Sequence, residues 1–221
     1  MTRKRLFSVA YMFGLTLFFT ALVSGIYEFN QERIAINERI KLQRIVLKVL
    51  GIIPEPGIPD IRMKEIFEKR VKREEAEGRI LYRGLSEDGK TVIGYAFPLF
   101  GPGFWGPLYG MMGIDTALEK VIGVAFYRHS ETPGLGGRIT EAWFVDQFAG
   151  KKLLTREREG KYFSLVPSGM ARAENEVDAI TGATGTSRAV ERLMDMNLKD
   201  YLPWIAATKA KGKMEGRSHG R

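Results

Sequence analysis

The sequence predicts an α+β fold in which a single N-terminal transmembrane helix leads into an extracytoplasmic domain of antiparallel strands with flanking helices. Three observations predict it. Leu6 to Tyr27 carries no charged residue. From Arg79 onward the chain turns to short runs rich in β-branched and aromatic residues. Helix-prone segments stand before and after those runs, the mixture expected of an α+β domain. At 221 residues the chain is long enough for one well-cored domain with appendages.

At ~1.5 Å per residue the uncharged run reaches about 33 Å, enough to cross the hydrocarbon core of a bilayer. A cleaved signal peptide would have a shorter apolar region and a small-x-small cleavage site. Residues 21–25 (Ala-Leu-Val-Ser-Gly) make a poor one, so the run reads as an uncleaved anchor rather than a leader or a buried core helix. Arg3, Lys4 and Arg5 precede it, and Glu28 and Glu32 follow it. The positive-inside rule then leaves the N-terminus in the cytoplasm and places residues 30–221 beyond the inner (cytoplasmic) membrane.

Gln31 to Leu50 is helix-prone, with Ile36, Ile40, Ile45, Leu47 and Leu50 loosely spaced, and leads away from the membrane. Residues 51–60 (Gly-Ile-Ile-Pro-Glu-Pro-Gly-Ile-Pro-Asp) end that helix. A second, charged helix is expected over Met63 to Glu77. Strands follow over Arg79–Arg83, Thr91–Phe97, Leu108–Ile114 and Val121–Tyr127, with Glu87-Asp88-Gly89-Lys90 as the hairpin turn between the first two. Ile139 to Phe148 reads as helix, Tyr162 to Val166 as strand and Ser187 to Met196 as helix. The expected division is a stub and anchor over 1–29, a helical and proline-rich connector over 30–60, the domain over 61–205, and a basic disordered tail over 206–221.

Charge and composition exclude several functions. The net charge of +8 suggests nucleic acid until it is located: the first five residues supply +3 and the last thirteen +4. A topology signal and a tail therefore make the basic pI, and nucleic-acid binding loses its main support. There is no cysteine, which rules out disulfides, iron–sulfur clusters, thiolate zinc and covalent c-type haem. His129 and His219 are the two imidazoles, and the second lies in the tail, which argues against a histidine metal site.

Three segments could carry chemistry. Residues 178–187 read Asp-Ala-Ile-Thr-Gly-Ala-Thr-Gly-Thr-Ser, just ahead of a helical run. A helix N-terminus offers unpaired N–H groups and the positive end of a dipole, and so suits a phosphate. Capping by Thr184 or Thr186 explains one hydroxyl, not four. No nucleophile-elbow partner and no Gly-Lys-Thr accompany the loop, so neither a serine hydrolase nor a P-loop fits. Residues 129–137 (His-Ser-Glu-Thr-Pro-Gly-Leu-Gly-Gly) form a tight loop after a strand, with Glu131 and Thr132 beside it. Residues 101–110 (Gly-Pro-Gly-Phe-Trp-Gly-Pro-Leu-Tyr-Gly) set aromatics among glycines: either a plain hairpin whose Trp105 covers the core, or flat walls for a planar ligand.

Taken together these segments resemble the FMN-binding domain shared by the NqrC subunit of the sodium-pumping NADH:quinone reductase and the RnfG subunit of the Rnf complex. Asp-Ala-Ile-Thr-Gly-Ala-Thr-Gly-Thr (178–186) is similar to that family's flavinylation motif, and 129–137 to its second signature. Gly-Phe-Trp-Gly-Pro-Leu-Tyr-Gly (103–110) is closer to the quinone-reductase branch. Position 185 is glycine where the family more often has a bulkier apolar residue, a change expected to loosen the turn.

The resemblance implies an electron relay: FMN joined through its phosphate to a threonine hydroxyl by a flavin transferase that takes it from FAD. The acceptor would be the last threonine of the motif, Thr186. Thr181 and Thr184 would bond phosphate oxygens or fix the loop, with Asp178, Gly182 and Ala183 completing the motif. Gly134, Leu135 and Gly136 would approach one face of the ring, Trp105 would contact or shield it, and Glu131 with Thr132 would hold the 129–137 loop in shape. The flavin would carry the redox chemistry, so no catalytic side chain and no independent substrate site are expected. Partners would be the other membrane subunits and, during maturation, the transferase. A stand-alone membrane-anchored flavin carrier and a cofactor-free scaffold are the rival readings.

Overall fold

In a computed structural model, residues 3–52, 57–153 and 161–218 are described. Two compact units divide at Leu42 and Gln43. Helix α1, Arg3–Val49, contributes to both. Its part up to Leu42 exposes every large apolar side chain from Leu6 to Phe29. Among the described residues it is the one helix long and apolar enough to cross a membrane.

The second unit begins with the last turns of α1. Gly51, at φ +70°, closes the helix: Gly51 N–H donates to Lys48 O at 3.0 Å and Ile52 N–H to Leu47 O at 2.9 Å. That is the glycine stop in which a left-handed residue folds two N–H groups back onto the last turn. Residues 53–56 of the proline-rich segment lie outside the described residues. Helix α2, Asp60–Arg70, follows, with Asp60 bonded to Arg44 at 2.7 Å.

Five strands then form an antiparallel meander: β1 (Val71–Ala76), β2 (Arg79–Leu85), β3 (Val92–Pro102), β4 (Pro107–Asp115) and β5 (Val121–Arg128). The charged helix expected through Glu77 stops at Arg70, because Val71–Ala76 pairs along its length with β2. Glu77 and Gly78, both at positive φ, make the turn that brings the strands together. On this sheet edge Glu74 lies 2.8 Å from Arg83, and charges on an edge strand discourage pairing with another chain. The turn at Glu87–Lys90 forms as expected, with Gly89 N–H on Ser86 O at 2.8 Å.

One sheet face carries Tyr95, Phe97, Leu99, Leu108, Met112 and Ile114, which pack with Ala189, Val190, Leu193, Met194, Leu198 and Ile205 of helix α4, Thr184–Ser218. Tyr201 stacks on Phe97, with ring centroids 4.6 Å apart. Each such buried side chain is worth ~1.5–3 kcal/mol. On the other face the end of α1 lies against bare backbone. Gly84 pairs with Gly94 and Gly113 with Gly123 across neighbouring strands. These pairs leave a trough in which Val46, Leu47, Val49, Leu50 and Ile52 are buried. The domain therefore starts near Gln43, not at residue 61.

Between β5 and α4 the chain is irregular. The helix expected over Ile139–Phe148 is instead a 3-10 turn Gly136–Thr140, a single helical turn α3 (Ala142–Val145) and a second 3-10 turn Asp146–Phe148. Glu141 breaks it by adopting extended backbone, ψ 144°. Short parallel strands β6 (Ser164–Val166) and β7 (Glu176–Asp178) follow, and Glu191 of α4 accepts from Leu165 N–H at 2.8 Å. Helix α4 continues through the basic segment expected to be disordered from 206, where Ala206, Ala207, Lys209 and Ala210 are strong helix formers. Residues 219–221 lie outside the described residues.

Candidate functional site

Three segments far apart in sequence meet at one carboxylate. The β3–β4 hairpin tip closes with Gly103 N–H on Gly106 O at 2.8 Å and leaves Phe104 and Trp105 projecting. The loop after β5 brings in Glu131. The turn Ile180–Ala183, closed by Ala183 N–H on Ile180 O at 3.0 Å with Gly182 at φ +79°, delivers the chain to the start of α4.

Glu131 is only 4% exposed, and an isolated carboxylate there would be costly. Donors surround it instead. Its Oε1 accepts Phe104 N–H at 2.8 Å and Trp105 N–H at 3.1 Å. Its Oε2 accepts the Thr186 hydroxyl at 2.6 Å, a bond between two buried side chains, for Thr186 is also 4% exposed. Glu131 N–H donates to His129 Nδ1 at 3.2 Å, which fixes the start of the loop. Contrary to the role expected of it, the Glu131 side chain leaves its own loop and ties the other two segments together. Thr132 holds the loop, its carbonyl accepting Leu135 N–H at 3.2 Å and Gly137 N–H at 2.9 Å.

Two glycines make the contacts possible. A Cβ at Gly136 would stand 2.3 Å from Thr186 Oγ1 and 2.9 Å from Glu131 Oε2. One at Gly185 would stand 2.4 Å from the Phe104 ring. Gly185 therefore does not loosen the turn: it lies in the first turn of α4 and accepts an aromatic ring against its backbone. Gly136→Ala is expected to separate the Glu131 and Thr186 side chains and to cost about 1–3 kcal/mol, as overpacking does. Urea denaturation against the parent protein measures this, and equal midpoints would contradict it.

The four hydroxyls have different fates. Ser187 Oγ accepts Ile180 N–H at 3.1 Å and donates to Ala183 O at 3.0 Å, so it staples the turn to the helix. Thr181 is exposed and does not line the cavity described below. Thr184 is exposed at its rim. Thr186 is the one whose hydroxyl meets a carboxylate. The first helical bond of α4 is Ser187 N–H to Ala183 O at 2.9 Å, so the N–H groups of Thr184, Gly185 and Thr186 precede the ladder and are the helix's free donors.

Beside Thr186 opens a cavity of about 370 Å³, walled by Phe104, Trp105 and Leu135 and floored by Gly136 and the backbone of 182–186. Small-molecule sites span ~300–1,000 Å³. Phe104 is 58% exposed and Trp105 68%, a heavy exposure of aromatic surface, and the rings meet edge to face with centroids 5.1 Å apart. Nearby, Glu141 accepts from the Trp143 ring N–H and pairs with Arg138 at 3.1 Å, and these hold its carboxyl below the usual range.

Of the residues expected at the site, Trp105, Thr132, Leu135, Gly136, Gly182, Ala183, Thr184 and Thr186 line the cavity, and Glu131 stands behind it. Asp178 does not reach it: its Oδ1 accepts Met170 and Ala171 N–H, both at 3.0 Å, and so closes a neighbouring turn. Gly134 shapes the loop at φ +73° with open space around it. Sequence reasoning missed Phe104, Gly185 and Ser187 as working parts. Phe104 stood in plain view beside Trp105, but nothing in the sequence pairs it with Gly185.

Known proteins resemble this chain in sequence and in fold. Residues 103–199 match the family model of the FMN-binding domain. The chain is 36% identical over 129 residues to the NqrC-type subunit of the Na(+)-translocating NADH-quinone reductase of Pasteurella multocida, covering 57% of this chain and 49% of that protein. It is 28% identical over 162 residues to the equivalent protein from Vibrio alginolyticus, covering 72% and 58%. These matches thus span about half to three-fifths of the relatives' length. In fold the chain resembles NqrC of Shewanella oneidensis, with a TM-score of 0.64 at 23% identity over 72% of this chain and 91% of that one. It also resembles the corresponding subunit of the Na(+)-translocating NADH-quinone reductase from Parabacteroides distasonis, with a TM-score of 0.65 at 22% identity over 78% and 94%.

Proposed function

We propose, from the match of residues 103–199 to the family model of the FMN-binding domain, that this protein is the flavin-carrying electron-transfer subunit of a membrane NADH:quinone reductase, with FMN joined by a phosphoester to Thr186. One observation carries the choice of residue. Of the four hydroxyls at 181–187, that of Thr186 alone combines a place on the cavity wall with a hydrogen bond to a buried carboxylate.

The residues present fit the group. A side chain at Gly136 would fill the space beside Oγ1, and glycine leaves it open. Thr186 lies in the first turn of α4, where N–H groups precede the helical ladder and the helix dipole favours the remaining charge of a phosphodiester. Phe104, Trp105 and Leu135 offer apolar surface to a planar ring. Bound FMN supplies the one- and two-electron chemistry. The chain supplies position, a dry wall and a covalent tether, which prevents loss of the group where no cytoplasmic pool could replace it.

On this reading α1 anchors the protein in the inner membrane. Arg3, Lys4 and Arg5 ahead of the span, against Glu28 and Glu32 after it, favour a cytoplasmic N-terminus and a domain on the far side. Its partners are then the other membrane subunits of the reductase, and a flavin transferase during maturation. The relatives found favour the quinone-reductase branch over the Rnf branch.

Protein purified from its native membrane is expected to stay yellow after acid precipitation, to weigh one FMN less water more than its sequence, and to yield a flavin peptide containing Thr186. A mass equal to that of the sequence would favour the cofactor-free scaffold instead.

A further inference from the structure

We propose that Glu131 is a catalytic residue for loading the flavin, accepting the Thr186 hydroxyl proton as the phosphoester forms. The proposal rests on the reading of Thr186 as the acceptor. It gives this chain part of the chemistry of its own maturation.

A threonine hydroxyl is a weak nucleophile at its ordinary pKa and needs an adjacent base. A candidate base must lie within ~2.6–3.2 Å of the proton it takes. Glu131 Oε2 lies 2.6 Å from Thr186 Oγ1, and both side chains are buried. The carboxylate is held on its far side by the two N–H groups of the hairpin tip, which leaves Oε2 to the hydroxyl alone. Gly136 keeps the space beside both oxygens clear, since a Cβ there would collide with each. The partners of the Glu131 carboxylate among the described residues are the two hairpin N–H groups and the Thr186 hydroxyl. Glutamine would satisfy the same two N–H groups through its carbonyl and could donate to Thr186 in turn. A purely structural junction has no need of a carboxylate; a proton acceptor does.

The step balances without oxidant or reductant. Thr186 Oγ1 attacks the flavin-side phosphorus of FAD, and an Oγ1–P bond forms. The P–O bond of the pyrophosphate bridge breaks and AMP leaves with the bridging oxygen. The hydroxyl proton passes to Glu131 Oε2. The new phosphodiester keeps one negative charge, and a protonated Glu131 beside it avoids the repulsion that two adjacent anions would suffer.

The full chain, made without the flavin transferase and solubilised in detergent, is mixed with transferase and FAD, and the gain of one FMN less water is followed by intact mass. Parent, Glu131→Asp and Glu131→Gln proteins are compared below the lowest of their three melting temperatures, so that all are folded. Glu131→Gln is expected to load about 10²-fold more slowly, the lower end of what general bases contribute. Glu131→Asp, with its carboxylate set back by one methylene, is expected to fall between. A merely structural role predicts that loading follows melting temperature, not the presence of a carboxylate. Loading of Glu131→Gln at the parent rate, or of Glu131→Asp no faster than Glu131→Gln, would overturn the proposal. Failure of the parent protein to gain mass would instead sink the reading that a flavin is joined to this chain, and a mass gain that survives Thr186→Ala would sink the assignment of Thr186.

Discussion

Thr186→Ala is expected to give a folded, membrane-bound protein that never becomes yellow and whose mass equals that of its sequence, even when the flavin transferase is present. The expectation follows from the separate fates of the hydroxyls. Ser187 is spent on closing the turn, Thr181 does not line the cavity, and Thr184 stands exposed at its rim. Among the described residues, Thr186 is the one of the four whose hydroxyl bonds a buried carboxylate, so the others are not expected to substitute. The fold is expected to survive because Thr186, though buried, stands outside the hydrophobic core cluster: Glu131 keeps its two backbone donors and loses one hydrogen bond, at a cost of about 1–2 kcal/mol. Thr184→Ala is the matching control and should still load. Colour surviving acid precipitation in Thr186→Ala would place the attachment elsewhere.

Gly113→Ala is expected to be the most destabilising single methyl addition in the sheet. Its Cβ would stand 1.8 Å from Val49 O and 2.6 Å from Val49 C, both backbone atoms that no rotamer change can move aside. Either β4 shifts or the end of α1 lifts, and with it go Leu47, Val49 and Leu50, all buried. The cost is about 3 kcal/mol or more, at the upper end for overpacking. In a chain of this length that lowers the melting temperature by roughly ten degrees. Gly25→Ala, where no atom lies within 4 Å of the added carbon, is the control and should melt with the parent. Equal melting of all three proteins would mean that α1 does not seat on the sheet as described.

The particulars show why some of this was legible in advance. β2 to β5 announce themselves through runs such as Val92-Ile93-Gly94-Tyr95 and Val121-Ile122-Gly123-Val124, where side-chain type and tertiary role agree. β1 does not: Val71-Lys72-Arg73-Glu74-Glu75-Ala76 is written in helix-forming residues, and only the ladder to β2 makes it a strand. The end of α1 reads as part of a connector, its apolar residues loosely spaced and a proline-rich segment following it. What buries them is a glycine trough on four strands, a complement invisible until the sheet's register is known.

At the site, the three motifs were readable, but their meeting point was not. Glu131 bonds across 26, 27 and 55 residues of sequence, and no local pattern encodes such contacts. Asp178 carried the opposite signal. It belongs to the motif yet serves a different turn, its carboxylate accepting the backbone N–H groups of Met170 and Ala171.

The meander has a consequence in time. Every strand of the sheet pairs with its neighbour in sequence, so those contacts can close early and locally. The junction at Glu131 cannot exist until residue 186 has been synthesised and α4 has docked on the finished sheet. If loading needs that junction, a molecule trapped halfway to its native state offers no acceptor. On the proposed reading the flavin would then be a stamp given only to correctly folded copies, and the fraction of yellow protein in a membrane would set a lower bound on the folded fraction.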